Sequence, residues 1–331
     1  MDKRIGFTTT IPVEVIIAAG LIPIDLNNLF ITDNDRNTLI NKAEWDGFST
    51  TVCGWIKGIY STVLKHHIKT VIAVTEGDCS NTHALMETLM EHHVRIIPFG
   101  FPYDRDQVVL NAQIKSLCRH FRVSTAQVKK AKQRCDKVRG IVHQIDRLTW
   151  RENKVTGKEN HLWQVQCSDF NTDPTRFALA AKEFLEQTRK RKPLSEDIRL
   201  GFIGVPPIFD DIYEYIEKCG ARVVFNEIQR QFSMPFRTRS IITQYTRYTY
   251  PYDIYGRIRN IKTEIRRRHI DGIIHYVQAF CFRQIQDIVI RKKLAGLPIL
   301  TLEGDNPGPL DTKSKLRIEA FIETIRRMPR A

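Results

Sequence analysis

The stretch "DGIIHYVQAFCFRQIQDIVIRKKLAGLPILTLEGD", residues 271–305, decides the fold. Its apolar run from Gly272 to Val277 reads as a buried strand, and a second run from Leu297 to Leu302 reads as another. Between them, Arg283 to Leu294 has helical character, with Gly296 as a stop and Pro298 just beyond. Strand, helix and strand joined by short turns is the pattern of a parallel sheet covered by helices. Cys281 lies where the strand hands over to the helix, and ligands of open α/β sheets collect at that carboxyl edge.

The same grammar recurs outward from this stretch. Residues 1–103 alternate: "VEVIIAAG" is helical, "LIPIDL" strand-like, 54–66 helical, "TVIAVT" a buried strand, "SNTHALMETLMEHH" a helix and "VRIIPF" a strand. Residues 104–195 read as a helical segment, with a long helix opened by Ser124 and Gln127 as a capping box. Residues 196–331 return to alternation through "IRLGFIG", "PPIFDDIYEYIEKCG", "ARVVFN" and a basic helix near 252–269. The expected fold class is therefore α/β, with two parallel-sheet domains and a helical segment between them.

Composition sets limits on function. The chain has 331 residues, 42% hydrophobic and 27% charged, which suits a globular protein with a large core. No apolar run reaches the roughly 18–20 residues of a membrane span, and the polar Thr8 to Thr10 spoil the N-terminus as a signal peptide. A cytoplasmic protein with no membrane role is expected. The formal charge of +14 is partly clustered, at 129–139, 188–193 and 257–269. Aromatic residues do not interleave with these runs as base stacking requires, so no nucleic-acid partner is expected. "GFIGVPP" lacks the spacing of a dinucleotide loop, and no P-loop occurs.

The seven cysteines are an odd number without CxxC pairs, so reduced thiols or metal ligands are expected rather than a disulfide framework. Cys53 stands at a helix entrance beside Gly54, and Cys79 and Cys281 each follow a strand and precede a helix. Helix entrances favour thiolates through free N–H groups and the dipole. Small buried apolar residues are the competing reading of all three. Cys118, Cys135, Cys167 and Cys219 read as packing residues.

"IPVEVIIAAGLIPIDL", "VCGWIKG", "VTEGDCSNTH", "HYVQAFCFRQIQD" and "LPILTLEGDNPGPLDTKSKLRIEAFIE" resemble, in that order, the 2-hydroxyacyl-CoA dehydratase and benzoyl-CoA reductase family, of the dehydratase D-component type. The resemblance implies two flavodoxin-like domains and a [4Fe-4S] cluster between them, with Cys53, Cys79 and Cys281 as its ligands. It implies an acyl-CoA substrate, ketyl radical chemistry, and a lyase or alternatively an oxidoreductase activity. It also implies an ATP-dependent activator iron–sulfur protein and a homodimer or a heterodimer with a homologous subunit. A homologue that only transfers electrons or carries the cluster is the alternative. Two departures bear on the substrate: "DTKSKLR" replaces the family's Gly-Gln pair after Glu303, and Cys53 lacks the usual following proline or serine. Glu14, Ser80, Gln278, Arg283 and Glu303 are candidate pocket groups, while His66, His67, His83 and His275 read first as surface or packing histidines.

Overall fold

A computed structural model describes residues 2–195 and 198–328. Strands β1 (Arg4–Phe7), β2 (Ile22–Asp25), β3 (Thr70–Glu76) and β4 (Arg95–Gly100) form one sheet. Strands β5 (Ile198–Gly204), β6 (Ala221–Asn226), β7 (Gly272–Gln278) and β8 (Ile299–Gly304) form the second. All pairings are parallel, in the orders β2-β1-β3-β4 and β6-β5-β7-β8. Both begin as a flavodoxin-like fold does, with a switch point between the first and third strands. β7 is buried along its whole length, as a central parallel strand must be.

The opening stretch folds as strand, turn, helix and strand, with shifted bounds. After Cys281 the chain makes a 3-10 turn, Phe282–Ile285, before the α-helix Gln286–Lys293. β8 starts at Ile299 because Pro298 has no N–H to offer the ladder, although its carbonyl still accepts from Ile273 at 2.9 Å. The stretch "PPIFDDIYEYIEKCG" is helical only over Ile212–Lys218. Strand β1 and the helices Leu26–Ile31 and Arg36–Trp45 add elements that the pattern reading did not separate. The long helix Thr125–Trp150 starts with the expected Ser124–Gln127 capping box.

The two halves interlock. One core joins Phe7, Val74 and Phe99 to Cys135, Val138 and Val142 of the long helix, and also takes in Tyr245, Tyr248 and Tyr252. The core under the second sheet in turn includes Phe30, Leu39 and Ile40 from the first hundred residues. Cys118, Cys135 and Cys167 are buried in the first core, and Cys219 ends the helix before Gly220. Among the described residues no helix is long and apolar enough to cross a membrane.

Candidate metal centre between the sheet edges

The carboxyl ends of both sheets meet at one cavity of about 130 Å³. Thr8, Asp25 and Cys79 bring the ends of β1, β2 and β3 to its wall. Val205 and Cys281 bring those of β5 and β7, and Cys53 enters from the start of helix Gly54–Lys65. Three thiols separated by up to 228 positions (281 minus 53) in the chain thus line one cavity.

Two glycines make this approach possible. A Cβ on Gly54 would stand 2.7 Å from the carbonyl oxygen of Asp305, which is backbone and cannot swing aside. The same carbonyl accepts from Gln278 Nε2 at 2.6 Å, tying the Cys53 helix entrance to the β7 edge. Gly77, just before Asp78 and Cys79, has φ +94°, and a Cβ there would lie 2.8 Å from Pro251. Gly54→Ala is expected to cost about 1–3 kcal/mol by overpacking and to loosen the cavity. Chemical denaturation checks the first effect and metal retention the second; an alanine variant as stable as the parent would contradict the close approach.

The electrostatics of the three thiols are alike. Burial pushes Cys53 up to about 12 and Cys79 up to about 11, and raises Cys281. The N–H groups of Trp55 and Ile56 oppose this at Cys53, that of Asn81 at Cys79, and that of Arg283 at Cys281. Neither Cys53 nor Cys281 makes a capping hydrogen bond as a thiol. Charge on Cys281 would raise both Cys53 and Cys79, a sign of closely spaced groups. Arg283 brings positive charge to this wall: it is 6% exposed, donates to the Tyr250 carbonyl at 3.0 Å, and lies 4.4 Å over the Tyr250 ring. Asp78 accepts from the Tyr250 hydroxyl at 3.2 Å, and burial pushes it up to about 6 against the pull of Arg283.

The cavity also holds buried polar atoms without partners. Trp55 Nε1, Thr82 Oγ1 and His161 Nδ1 are all buried and unbonded, and all three residues line it. Burial pushes His161 down to about 3, so its imidazole is neutral. Orphaned polar atoms gathered on one wall mark a place for a bound group. No three Cys, His, Asp or Glu among the described residues close on a single point as a mononuclear site requires. A polynuclear cluster has no such need, because its thiolates bind different irons. Thiols are the ligands that iron–sulfur clusters take, and three of them line this cavity.

The other sequence candidates separate cleanly. Gln278 and Arg283 line the cavity with the three cysteines. Glu14 does not: it is fully buried, paired with Arg139 at 2.7 Å, and accepts from Gln244 and Tyr245 at 2.8 Å each. Ser80 is exposed at a helix entrance, and Glu303 is exposed and accepts from Gln284 at 3.0 Å. His275 is held by Asp287 at 2.7 Å, and His83 by the Thr75 carbonyl at 3.0 Å. Asp25, Asp78, Trp55, His161 and Tyr250 line the cavity without having been singled out. A position at or just past the end of a strand was the available signal for Asp25 and Asp78; His161 and Tyr250 come from segments with no local motif.

No curated protein sequence matches the chain. The family model described as 2-hydroxyglutaryl-CoA dehydratase, D-component, matches residues 8–325, a span that includes all three cavity cysteines, and the chain belongs to that family.

Proposed function

We infer that the chain is the iron–sulfur subunit of a 2-hydroxyacyl-CoA dehydratase-type enzyme. Cys53, Cys79 and Cys281 hold one [4Fe-4S] cluster and leave one iron without a protein thiolate. The observation that carries this reading is that three thiols from three separate segments line one cavity. When bound, such a cluster supplies a Lewis-acidic iron and a carrier for one electron.

The surrounding residues support that chemistry. The N–H groups facing the thiols, with the Arg283 charge at Cys79 and Cys281, oppose the effect of burial and would offset the negative charge of a reduced cluster. Trp55 offers an unpaired N–H to a sulfur or a substrate oxygen. Ile56, Ile59 and Phe232 in the cavity lining keep water away, which strengthens every polar interaction inside. The family supports a thioester as the class of substrate and a homologous subunit, self or sister chain, as partner. The family resemblance implies an ATP-dependent activator as the source of the electron, which accords with a sequence that has no P-loop of its own.

Anaerobic reconstitution tests this reading. The expected product contains about four iron and four sulfide per chain and dehydrates 2-hydroxyacyl-CoA only with reduced activator and ATP. A chain that takes up no iron under these conditions would refute it.

A second cavity bears on the partners. A groove of about 780 Å³ beside the long helix is lined by Lys130, Arg134, Lys137 and Arg237, none of them in an ion pair among the described residues. Such a field attracts anionic ligands and acidic surfaces, and salt screens it. Association with the CoA thioester or the activator is expected to weaken several-fold between about 0.01 M and 0.15 M salt. Titrations at the two ionic strengths check this, and a salt-independent affinity would remove the groove from the account.

A further inference from the structure

The first sheet's carboxyl edge carries a feature that the thiols do not use. Asp25 ends β2 and caps the helix Leu26–Ile31. Asp169 lies between two 3-10 turns, Gln166–Ser168 and Phe170–Thr172, and the Asp25 N–H donates to its carboxylate at 2.9 Å. Residues 144 positions apart are thereby locked together. Both are buried, at 5% and 4% exposed.

Neither carboxyl has a cation. Asp25 accepts from the Asn27 N–H at 2.9 Å and from Asn27 Nδ2 at 3.1 Å, with Ser168 and the Asn28 N–H also facing it. Asp169 accepts from the Asn171 N–H at 2.9 Å and has Cys167 behind it. Of the charges around the pair, Asp78 in the same cavity is also acidic, and the Arg139 guanidinium lies 5.4 Å over the ring of Phe170, next to Asp169, but is committed to Glu14. No Lys, Arg or His pairs with either residue among the described residues. Two adjacent carboxylates cannot both ionise cheaply in such a place: desolvation and mutual repulsion retain a proton. Burial raises both, and the charge of Asp25 adds to the rise at Asp169. Asp25 is the member on the cavity wall, and Asp169 stands behind it.

We propose that Asp25, backed by Asp169, carries the proton of the reaction in this cavity. The proposal rests on the dehydratase reading and adds to it the acid–base group. In a dehydration the C–O bond to the 2-hydroxyl breaks, and so does a C–H bond on the neighbouring carbon. The proton held by Asp25 joins the departing hydroxide and leaves as water. The proton given up by carbon returns to the carboxylate. Substrate becomes enoyl product plus water with no net change in electrons, and the pair ends as it began. Asp25 is the catalytic residue here, and Asp169 is a positioning residue that keeps the proton in place.

The test has two readouts. The first needs no cluster: the infrared spectrum of the full apo chain at pH 6, where ordinary carboxylates with pKa near 4 are ionised. A protonated-carboxyl C=O band is expected in the wild type in addition to that of Asp78, which burial also raises to about 6, and the total band should fall in Asp169→Asn, which removes one acid of the pair. A wild-type chain without that band, or one whose band is unchanged in both Asp25→Asn and Asp169→Asn, overturns the proposal. The second uses the loaded enzyme. Asp25→Asn should keep the iron and sulfide content while turnover falls about 100-fold or more, and Asp169→Asn should move the pH–rate profile to lower pH. Normal turnover in Asp25→Asn overturns the proposal alone. A loaded wild type that shows the band but dehydrates no 2-hydroxyacyl-CoA overturns the dehydratase reading, and the pair's role in dehydration with it.

Discussion

Changing any one of Cys53, Cys79 or Cys281 to serine is expected to abolish cluster retention and activity together. Each thiol comes from a different segment of the cavity wall, and no neighbouring cysteine stands in reserve. A serine hydroxyl is a far weaker ligand for iron than a thiolate, so two remaining ligands would lose the cluster during reconstitution. Cys118 and Cys135 supply the contrast. Both are packed in the first core, away from the cavity, so Cys→Ala there should cost about 1 kcal/mol and leave the iron content unchanged. Iron and sulfide analysis of the five variants decides the matter. Full iron in a cavity variant, or its loss in a core variant, would contradict the ligand set.

The second large effect is one of stability. Glu14→Gln should destabilise the fold by about 3–5 kcal/mol, because it leaves the buried Arg139 guanidinium only the longer, part-exposed contact with Asp136 at 3.3 Å. Arg139 is 2% exposed and Glu14 is not exposed at all, so solvent cannot compensate. Adding Arg139→Met should recover most of the loss, since the orphaned charge disappears. Burial pushes the Glu14 carboxyl up, but the charge and hydrogen bond of Arg139 outweigh it and hold the group below its ordinary value. A carboxyl depressed in the folded state adds stability above its unfolded pKa and loses it as the pH falls through the folded one. The wild type should therefore lose stability in acid more steeply than the double variant. Equal acid sensitivity would show that the pair contributes little.

Much of the fold was legible in the chain because parallel sheets bury both faces of their strands. Runs such as "TVIAVT" and "GIIHYV" carry that signal without help from distant residues. β1 was harder to see, since its four residues, "RIGF", are too few for a periodic signal. The helix after Cys281 begins with a 3-10 turn that hydrophobic spacing does not distinguish from an α-helical one.

The site was half legible. The motifs single out the three cysteines with Ser80, Gln278, Arg283 and Glu303, and of these the cavity brings together the cysteines, Gln278 and Arg283 but not Ser80 or Glu303. Glu14 lies in an equally recognisable motif, yet its partner Arg139 is 125 positions away on another helix, and that pairing turns it into the core. Asp25 gains its meaning only from Asp169, 144 positions on. Pairings of that range depend on tertiary structure, which no local window contains.

The central claim is that three thiolates hold a cluster whose remaining iron is open to substrate. The electron paramagnetic resonance spectrum of the reduced, reconstituted protein tests it most directly, recorded with and without a 2-hydroxyacyl-CoA. A thioester oxygen that reaches the open iron must shift the cluster's signal, and this account predicts that shift. A spectrum unchanged across a broad panel of thioesters would contradict it and leave a protein that only passes electrons.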